Sequence, residues 1–268
     1  MYGMLDNLSD LGLEMDLPYE IFATSFNPAA VPIEEEKDLS GYFFKKEFTC
    51  PICAAKFNWA VLRQSKLRME RMDELRPVYK DIEALCYDVM MCVKCGYAAI
   101  NDRFDVVSDR QRENLLEKMR LNYSNFMPVA FEPLVSIEKA IEIHKYALVT
   151  AFIKKVSAGE KAKLLIKLSW LYKVAGDEEN TILFNKHAFE YLTQAMSTER
   201  FPIFGMGEGA VTYILASYAA GMRKFSVSLK FLSEIIVNQS FPARLRDLAR
   251  DLKEQITEMR EQGAEEAE

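Results

Sequence analysis

Histidine is scarce in this chain, 2 in 268 residues, and neither stands in an H-E-x-x-H pattern. That excludes the helical zinc-protease site, and the lack of a Ser-His-Asp order or a glycine-rich phosphate loop removes the usual hydrolase and kinase constellations. Long apolar runs are also missing. The most apolar stretch, residues 210–222, carries Thr212, Tyr213, Ser217 and Tyr218 and falls well short of the ~20 residues a membrane span needs, so none is expected. The opening Met1-Tyr2-Gly3-Met4-Leu5-Asp6 has acid where a secretory leader needs base, and no small-residue cleavage site follows a hydrophobic run. The expected location is therefore the cytoplasm. Five cysteines, four of them in C-x2-C pairs and in a chain expected to have no export signal, are better explained by metal ligation than by a disulfide framework.

The remaining composition is that of an ordinary globular chain, 50% hydrophobic and 28% charged, with a net charge of -6 and a pI near 5.3. A chain of that sign repels nucleic acid at long range unless a local patch reverses it. Residues 45–80 do reverse it: Lys45, Lys46, Lys56, Arg63, Lys66, Arg68, Arg71, Arg76 and Lys80 stand against Glu47, Glu70, Asp73 and Glu74, nine minus four, or +5.

The organising feature is the pair Cys50-Pro51-Ile52-Cys53 and Cys92-Val93-Lys94-Cys95-Gly96-Tyr97. Each C-x2-C turn aims two sulfurs at one point, and four converging thiolates make a tetrahedral metal site. Cys50, Cys53, Cys92 and Cys95 are the candidate ligands of a structural Zn2+, with iron in the same geometry and a thiol-redox pair as the competing readings. Cys86 lacks the knuckle spacing and reads as a buried spare thiol. Strand-like aromatic stretches, 43–49 before the first knuckle and 57–62 after it, then 87–91 and 97–100 around the second, predict a zinc ribbon. The 38 residues between the knuckles exceed the roughly 15 to 20 of a simple ribbon, so this insert must carry additional structure.

From residue 108 onward the periodicity is helical. Ser108-Asp109-Arg110-Gln111 and Ser157-Ala158-Gly159-Glu160 are capping boxes. Ile137, Ala140, Ile141, His144, Leu148, Ala151 and Phe152 form one stripe, which makes His144 a core imidazole rather than a ligand. His187 reads as a surface or groove residue. Hairpin turns are predicted at Gly176-Asp177 and Gly221-Met222, and Pro242 opens a final amphipathic helix through Leu245, Leu248, Leu252, Ile256 and Met259. The 45-residue spacing of the two turns suggests a degenerate tetratricopeptide-like array.

The predicted fold class is α+β, mainly α: a small four-cysteine zinc-ribbon β subdomain followed by tetratricopeptide-like antiparallel helix pairs. Residues 1–40 form an acidic arm, nine acids minus one base, whose Leu11, Leu13, Tyr19, Ile21, Phe22 and Phe26 could dock on the body. Residues 41–107 make the ribbon domain with its basic insert, 108–260 the helical-repeat domain and 261–268 an acidic tail.

Cys50-Pro51-x-Cys53, Ser65-Lys66-Leu67-Arg68, Asp73, Tyr87-Asp88-Val89 and Cys92-x-x-Cys95-Gly96-Tyr97-Ala98 resemble the bacterial family called domain of unknown function 2225. The helix carrying Trp170-Leu171-Tyr172 and the one running from Tyr213 to Gly221 are also similar to that family, so the resemblance covers most of residues 48–235. It implies a zinc-ribbon head on a helical-repeat body and no assigned activity. Ala54 stands where that pattern has glycine, at a position whose backbone is usually left-handed.

Three functions are compatible with these residues. The first is a protein-interaction module or scaffold that binds another protein through its helical surface, since helix arrays present concave faces to peptides and helices. The second is a nucleic-acid-associated zinc-ribbon factor using Lys66, Arg68 and Arg71. The third is an enzyme with a polar network of Asp73, Arg76, Tyr87 and Asp88 beside the ribbon; the same residues would equally serve as ion pairs that pin the insert. Catalysis is not expected, and no membrane partner is.

Overall fold

The computed structural model describes residues 17–22, 39–73, 75–120 and 135–262; Leu11, Leu13, Phe26 and Glu74, singled out above, lie outside them. The chain forms two compact units. The first comprises 1–71, 77–156 and 167–181, the second 72–76, 157–166 and 182–268. The first unit thus takes in strands before, and helices after, the boundary that the sequence places at 107/108.

In the first unit, β1 (Phe43–Thr49) pairs antiparallel with β2 (Lys56–Leu62), and Phe44 faces Val61, Lys46 faces Trp59 and Phe48 faces Phe57. These are the aromatic stretches flanking the first knuckle. The insert then adds a hairpin that periodicity did not reveal, β3 (Met69–Asp73) with β4 (Arg76–Tyr79). Their sequences, MERMD and RPVY, lack the alternation that marks a half-buried strand: β3 lies mostly at the surface, and β4 buries only Arg76, its other residues being half-buried. The second knuckle sits between β5 (Val89–Met91) and β6 (Ala98–Ile100), again antiparallel. Tyr87, expected in that strand, lies instead in a 3₁₀ turn, Ala84–Tyr87.

Helix α1 (Asp109–Arg120) starts as its capping box requires: Ser108 N donates to Gln111 Oε1 at 3.0 Å, and Gln111 N donates to Ser108 Oγ at 3.3 Å. Helix α2 (Ile137–Lys154) departs from the single stripe read in the sequence: 14 of its residues are buried, so every side of it is covered. The reason is position. It packs on β5, β6, α1 and the 3₁₀ turn, and a helix surrounded in this way loses its polar face. Two of its lysines are buried among those residues. Lys145 Nζ donates to Phe22 O at 3.2 Å, and Lys154 Nζ donates to Val106 O at 3.0 Å and to Tyr97 Oη at 3.4 Å. Leu17, Ile21 and Phe22 of the N-terminal segment are buried.

Helices α3 (Ala158–Val174) and α4 (Glu178–Thr198) each contribute residues to both units. Gly176, at φ 72°, closes α3 with Asp177 N on Tyr172 O at 3.0 Å and Gly176 N on Lys173 O at 3.1 Å, the paired bonds of a Schellman end. At the start of α3, Glu160 N donates to Ser157 Oγ at 3.3 Å as the capping box requires, and Gly159 N donates to Oε1 of Glu199, just past α4, at 2.7 Å.

The second unit is built on α5 (Glu208–Gly221), α6 (Phe225–Val237) and α7 (Ala243–Glu261). Tyr213, Ala216 and Ala220 of α5, Phe225, Leu232 and Ile235 of α6, and Leu245, Ala249 and Ile256 of α7 make its core, with Leu75 of the insert packed against it. Gly209 lets α5 approach, since a Cβ there would meet Leu245 at 2.7 Å and Phe241 at 3.0 Å. The left-handed residue of the α5–α6 turn is Arg223, at φ 58°, rather than Gly221, which is the last residue of the helix. Helices account for most of the described residues and antiparallel strand pairs for the rest of the regular structure, so the α+β, mainly α class is established.

His144 is fully buried on α2: Nδ1 donates to Ala140 O at 2.7 Å, and Nε2 has no hydrogen-bond partner among the described residues. Burial pushes its pKa down to about 4, outweighing the Ala140 carbonyl, which favours the charged form. A depressed histidine pKa means the unfolded chain binds the extra proton first, so stability is fully present above the ordinary 6.5 and is lost as pH falls towards 4. The first unit should lose about 2 kcal/mol between about pH 8 and about pH 5 that a His144→Leu variant keeps. Both tryptophans, Trp59 and Trp170, belong to this unit, so urea unfolding followed by their fluorescence measures the difference.

Candidate metal centre

Two loops of identical hydrogen bonding build the site. In the first, Cys50 N donates to Ala55 O at 2.9 Å and Ala54 N to Cys50 O at 3.0 Å; in the second, Cys92 N donates to Tyr97 O at 2.8 Å and Gly96 N to Cys92 O at 2.9 Å. Each loop turns sharply at its fifth residue, where the backbone is left-handed: φ is 57° at Ala54 and 71° at Gly96. Glycine adopts this without cost, whereas alanine sacrifices on the order of 1 kcal/mol. The strain is carried by the first loop only, at the residue where the family pattern has glycine.

The two loops meet. Cys50 Sγ lies 3.6 Å from Cys95 Sγ, and Cys53 Sγ lies 3.7 Å from Cys92 Sγ. All four sulfurs fall within 4.8 Å of one another. A tetrahedron of sulfurs about 2.3 Å from a central ion has edges of roughly 3.8 Å, so these four residues fit a metal ion in both type and separation. Cys50, Cys92 and Cys95 are buried and Cys53 is half-buried. Cys86, also buried, stands outside the cluster.

Crowded sulfurs with no cation between them share protons. Contacts with Cys50 and Cys95 hold the Cys92 thiol well below its ordinary range, with backbone N–H groups of Cys95 and Lys94 adding to the effect. The Cys50 thiol is pushed up, first by its contact with Cys92, and Cys95 is pushed up by both of those neighbours. One thiolate is thus stabilised by the S–H groups around it. A divalent cation reverses that order, because its charge favours the deprotonated form of every ligand at once.

The loops are fixed to the body by polar contacts from α1, from α2 and from the segment after β6. Arg112 Nε donates to Ile52 O at 3.3 Å, the hydroxyl of Thr150 donates to Ala98 O, and the buried hydroxyl of Tyr97 donates to Phe104 O at 2.9 Å.

The four residues of the expected polar network have different partners. In the second unit, Arg76 donates to Asp73 Oδ2 at 3.3 Å. In the first, Tyr87 Oη accepts from Val135 N at 3.2 Å, and Asp88 pairs with Lys167. Lys167 was not foreseen. Its signal in the sequence is a lone lysine inside the apolar run Leu164-Leu165-Ile166-Lys167-Leu168, where a buried cation needs a polar partner. Lys66, Arg68 and Arg71 are exposed, with Arg71 beside Glu70 at 3.7 Å. His187 is buried rather than superficial, and its Nδ1 lies 3.1 Å from Glu190 Oε2, one turn along α4.

The model of the family described as "Uncharacterized protein conserved in bacteria", domain of unknown function 2225, matches residues 43–256. The chain belongs to this family. That span takes in both cysteine pairs, helices α1 to α6 and all but the last turns of α7. No curated protein and no solved structure matches the chain.

The Asp88–Lys167 pair has a testable energetic signature. Lys167 is almost wholly buried, so Asp88→Ala should leave its charge unpaired and cost about 2 kcal/mol or more in tryptophan-detected unfolding. Adding Lys167→Met to that variant should return much of the loss.

Proposed function

We propose that this protein is a cytoplasmic, zinc-stabilised interaction module that binds another protein through its helical surface. The observation that carries the structural half of this reading is the closed shell of Cys50, Cys53, Cys92 and Cys95, in which four thiolates leave no open position for substrate or water. Borderline-soft Zn2+ is the ion such a set prefers among those without redox chemistry. No helix among the described residues is long and apolar enough to cross a membrane, which is consistent with a cytoplasmic location.

The second half is supported by α6. Val227 is 39% exposed and Val237 is 73% exposed, at opposite ends of a helix whose other face forms the core of the second unit. Water-exposed β-branched residues on an ordered helix are a natural seat for a partner's apolar side chains.

The purified chain should carry one zinc per molecule by elemental analysis, and Co2+ exchanged into it should give the visible bands of tetrahedral thiolate ligation. Cys92→Ser should lose the ion and, with it, the cooperative unfolding of the first unit, since ligand geometry and folding are linked. One full equivalent of metal retained in that variant would overturn the ligand assignment. For the partner, cross-linked complexes recovered with wild-type chain should be lost with Val227→Asp/Val237→Asp while zinc content is unchanged. An identical set of complexes from both would remove the helical surface from the reading.

A further inference from the structure

The β1–β2 ribbon has a face that neither the metal site nor the helical surface explains. Paired strand residues share a face, so Phe44, Lys46 and Phe48 of β1 lie together with Val61, Trp59 and Phe57 of β2. Phe57 and Trp59 are buried, whereas Phe44 is 38% exposed, Lys46 is exposed and Phe48 is half-buried. Two cations cover the rings. The guanidinium carbon of Arg63 lies 5.1 Å from the centre of Phe44, and Lys46 Nζ lies 4.9 Å from the centre of Phe48. Arg63 is held there by its Nε, which donates to Phe43 O at 3.1 Å. Among the described residues, no carboxylate lies within ion-pair distance of Lys46 or Arg63. The opposite face differs, because Lys56 there is neutralised by Glu47 at 3.4 Å.

The surrounding sequence raises the local charge. Residues 43–71 hold Lys45, Lys46, Lys56, Arg63, Lys66, Arg68 and Arg71 against Glu47 and Glu70, seven minus two, or +5 in a chain of net charge -6. All seven bases are exposed. A ligand matched to this face must supply repeated negative charge and flat π surfaces at close intervals along one strand. An acidic peptide supplies only the charge. Duplex nucleic acid supplies the charge but hides its base faces in the stack, whereas a single strand presents both.

We infer that this face, with Phe44 and Phe48 as stacking platforms and Lys46 and Arg63 as phosphate contacts, binds single-stranded nucleic acid. This is a second binding function, independent of the helical surface, and it uses a different set of residues from Lys66, Arg68 and Arg71.

The test uses the full-length, metal-loaded chain and a fluorescein-labelled oligouridylate of about twelve nucleotides, within the range that such surfaces cover. Anisotropy should rise saturably at about 50 mM salt, and the log–log salt slope should fall by about 1.4 in Lys46→Ala/Arg63→Ala, at ~0.7 per phosphate contact in a single strand. Phe44→Ala should weaken binding about tenfold, as loss of one stacked base does. Lys230→Ala/Lys253→Ala, on exposed positions of α6 and α7, should bind as wild type. The same sequence in duplex form should bind at least about tenfold more weakly, its base faces being hidden. Oligodeoxythymidylate run in parallel identifies whether RNA or DNA is preferred. Circular dichroism and metal content establish that each variant is folded. The inference is overturned by no rise in anisotropy, by ribbon variants that bind as wild type, by equal affinity for duplex, or by polyglutamate displacing the probe as well as unlabelled oligouridylate does.

Discussion

Four sulfurs brought to one point across a 38-residue gap are the constraint on which the first unit depends. Closing a loop of that length costs conformational entropy that grows only slowly with length, so the insert can be long without making the site untenable. Closure must nonetheless be maintained, and crowded thiols do this poorly on their own: they share protons and repel once ionised. A cation removes both problems together. The near-identity of the two loops follows from the same need, since each has to offer two sulfurs on one side with its own backbone N–H and C=O groups already paired.

The unit then uses α2 as its spine. A helix enclosed on all sides has no surface on which to put its charged residues, yet Lys145 and Lys154 remain on it. Each is retained at low cost because its ammonium reaches acceptors near the edge of the core. Lys145 ties down the N-terminal segment at Phe22, and Lys154 ties the second knuckle to the chain that leaves it at Val106. Lys167 does the same for the turn before β5 through Asp88. Buried cations in this unit therefore act as fasteners for segments with little regular structure. For His144, lying in the same interior, burial disfavours ionisation by more than the Ala140 carbonyl and Asp88 favour it.

Much of this was legible in one dimension. The C-x2-C spacing named the four cysteines whose sulfurs come together, the aromatic runs located β1 and β2, and apolar periodicity with its punctuation placed the helices and the Gly176 turn. These signals are local: a knuckle, a strand face and a capping box are each determined within about ten residues. The signals that failed were ambiguous rather than absent. β3 lies mostly at the surface and β4 is buried only at Arg76, so the hairpin shows no alternation, and the left-handed position of the α5–α6 turn falls on Arg223, two residues after Gly221.

The sequence by itself determined which residues could ligate a metal, where the helices run and which side of most of them is apolar, because these depend on residue type and short-range spacing. Only the tertiary structure decided that α2 is covered on every side, that Asp88 belongs to Lys167, and that cations lie over Phe44 and Phe48 on the ribbon. Several of these are contacts between residues far apart in the chain. Which partners meet is settled by how the elements pack, a property that no single segment carries.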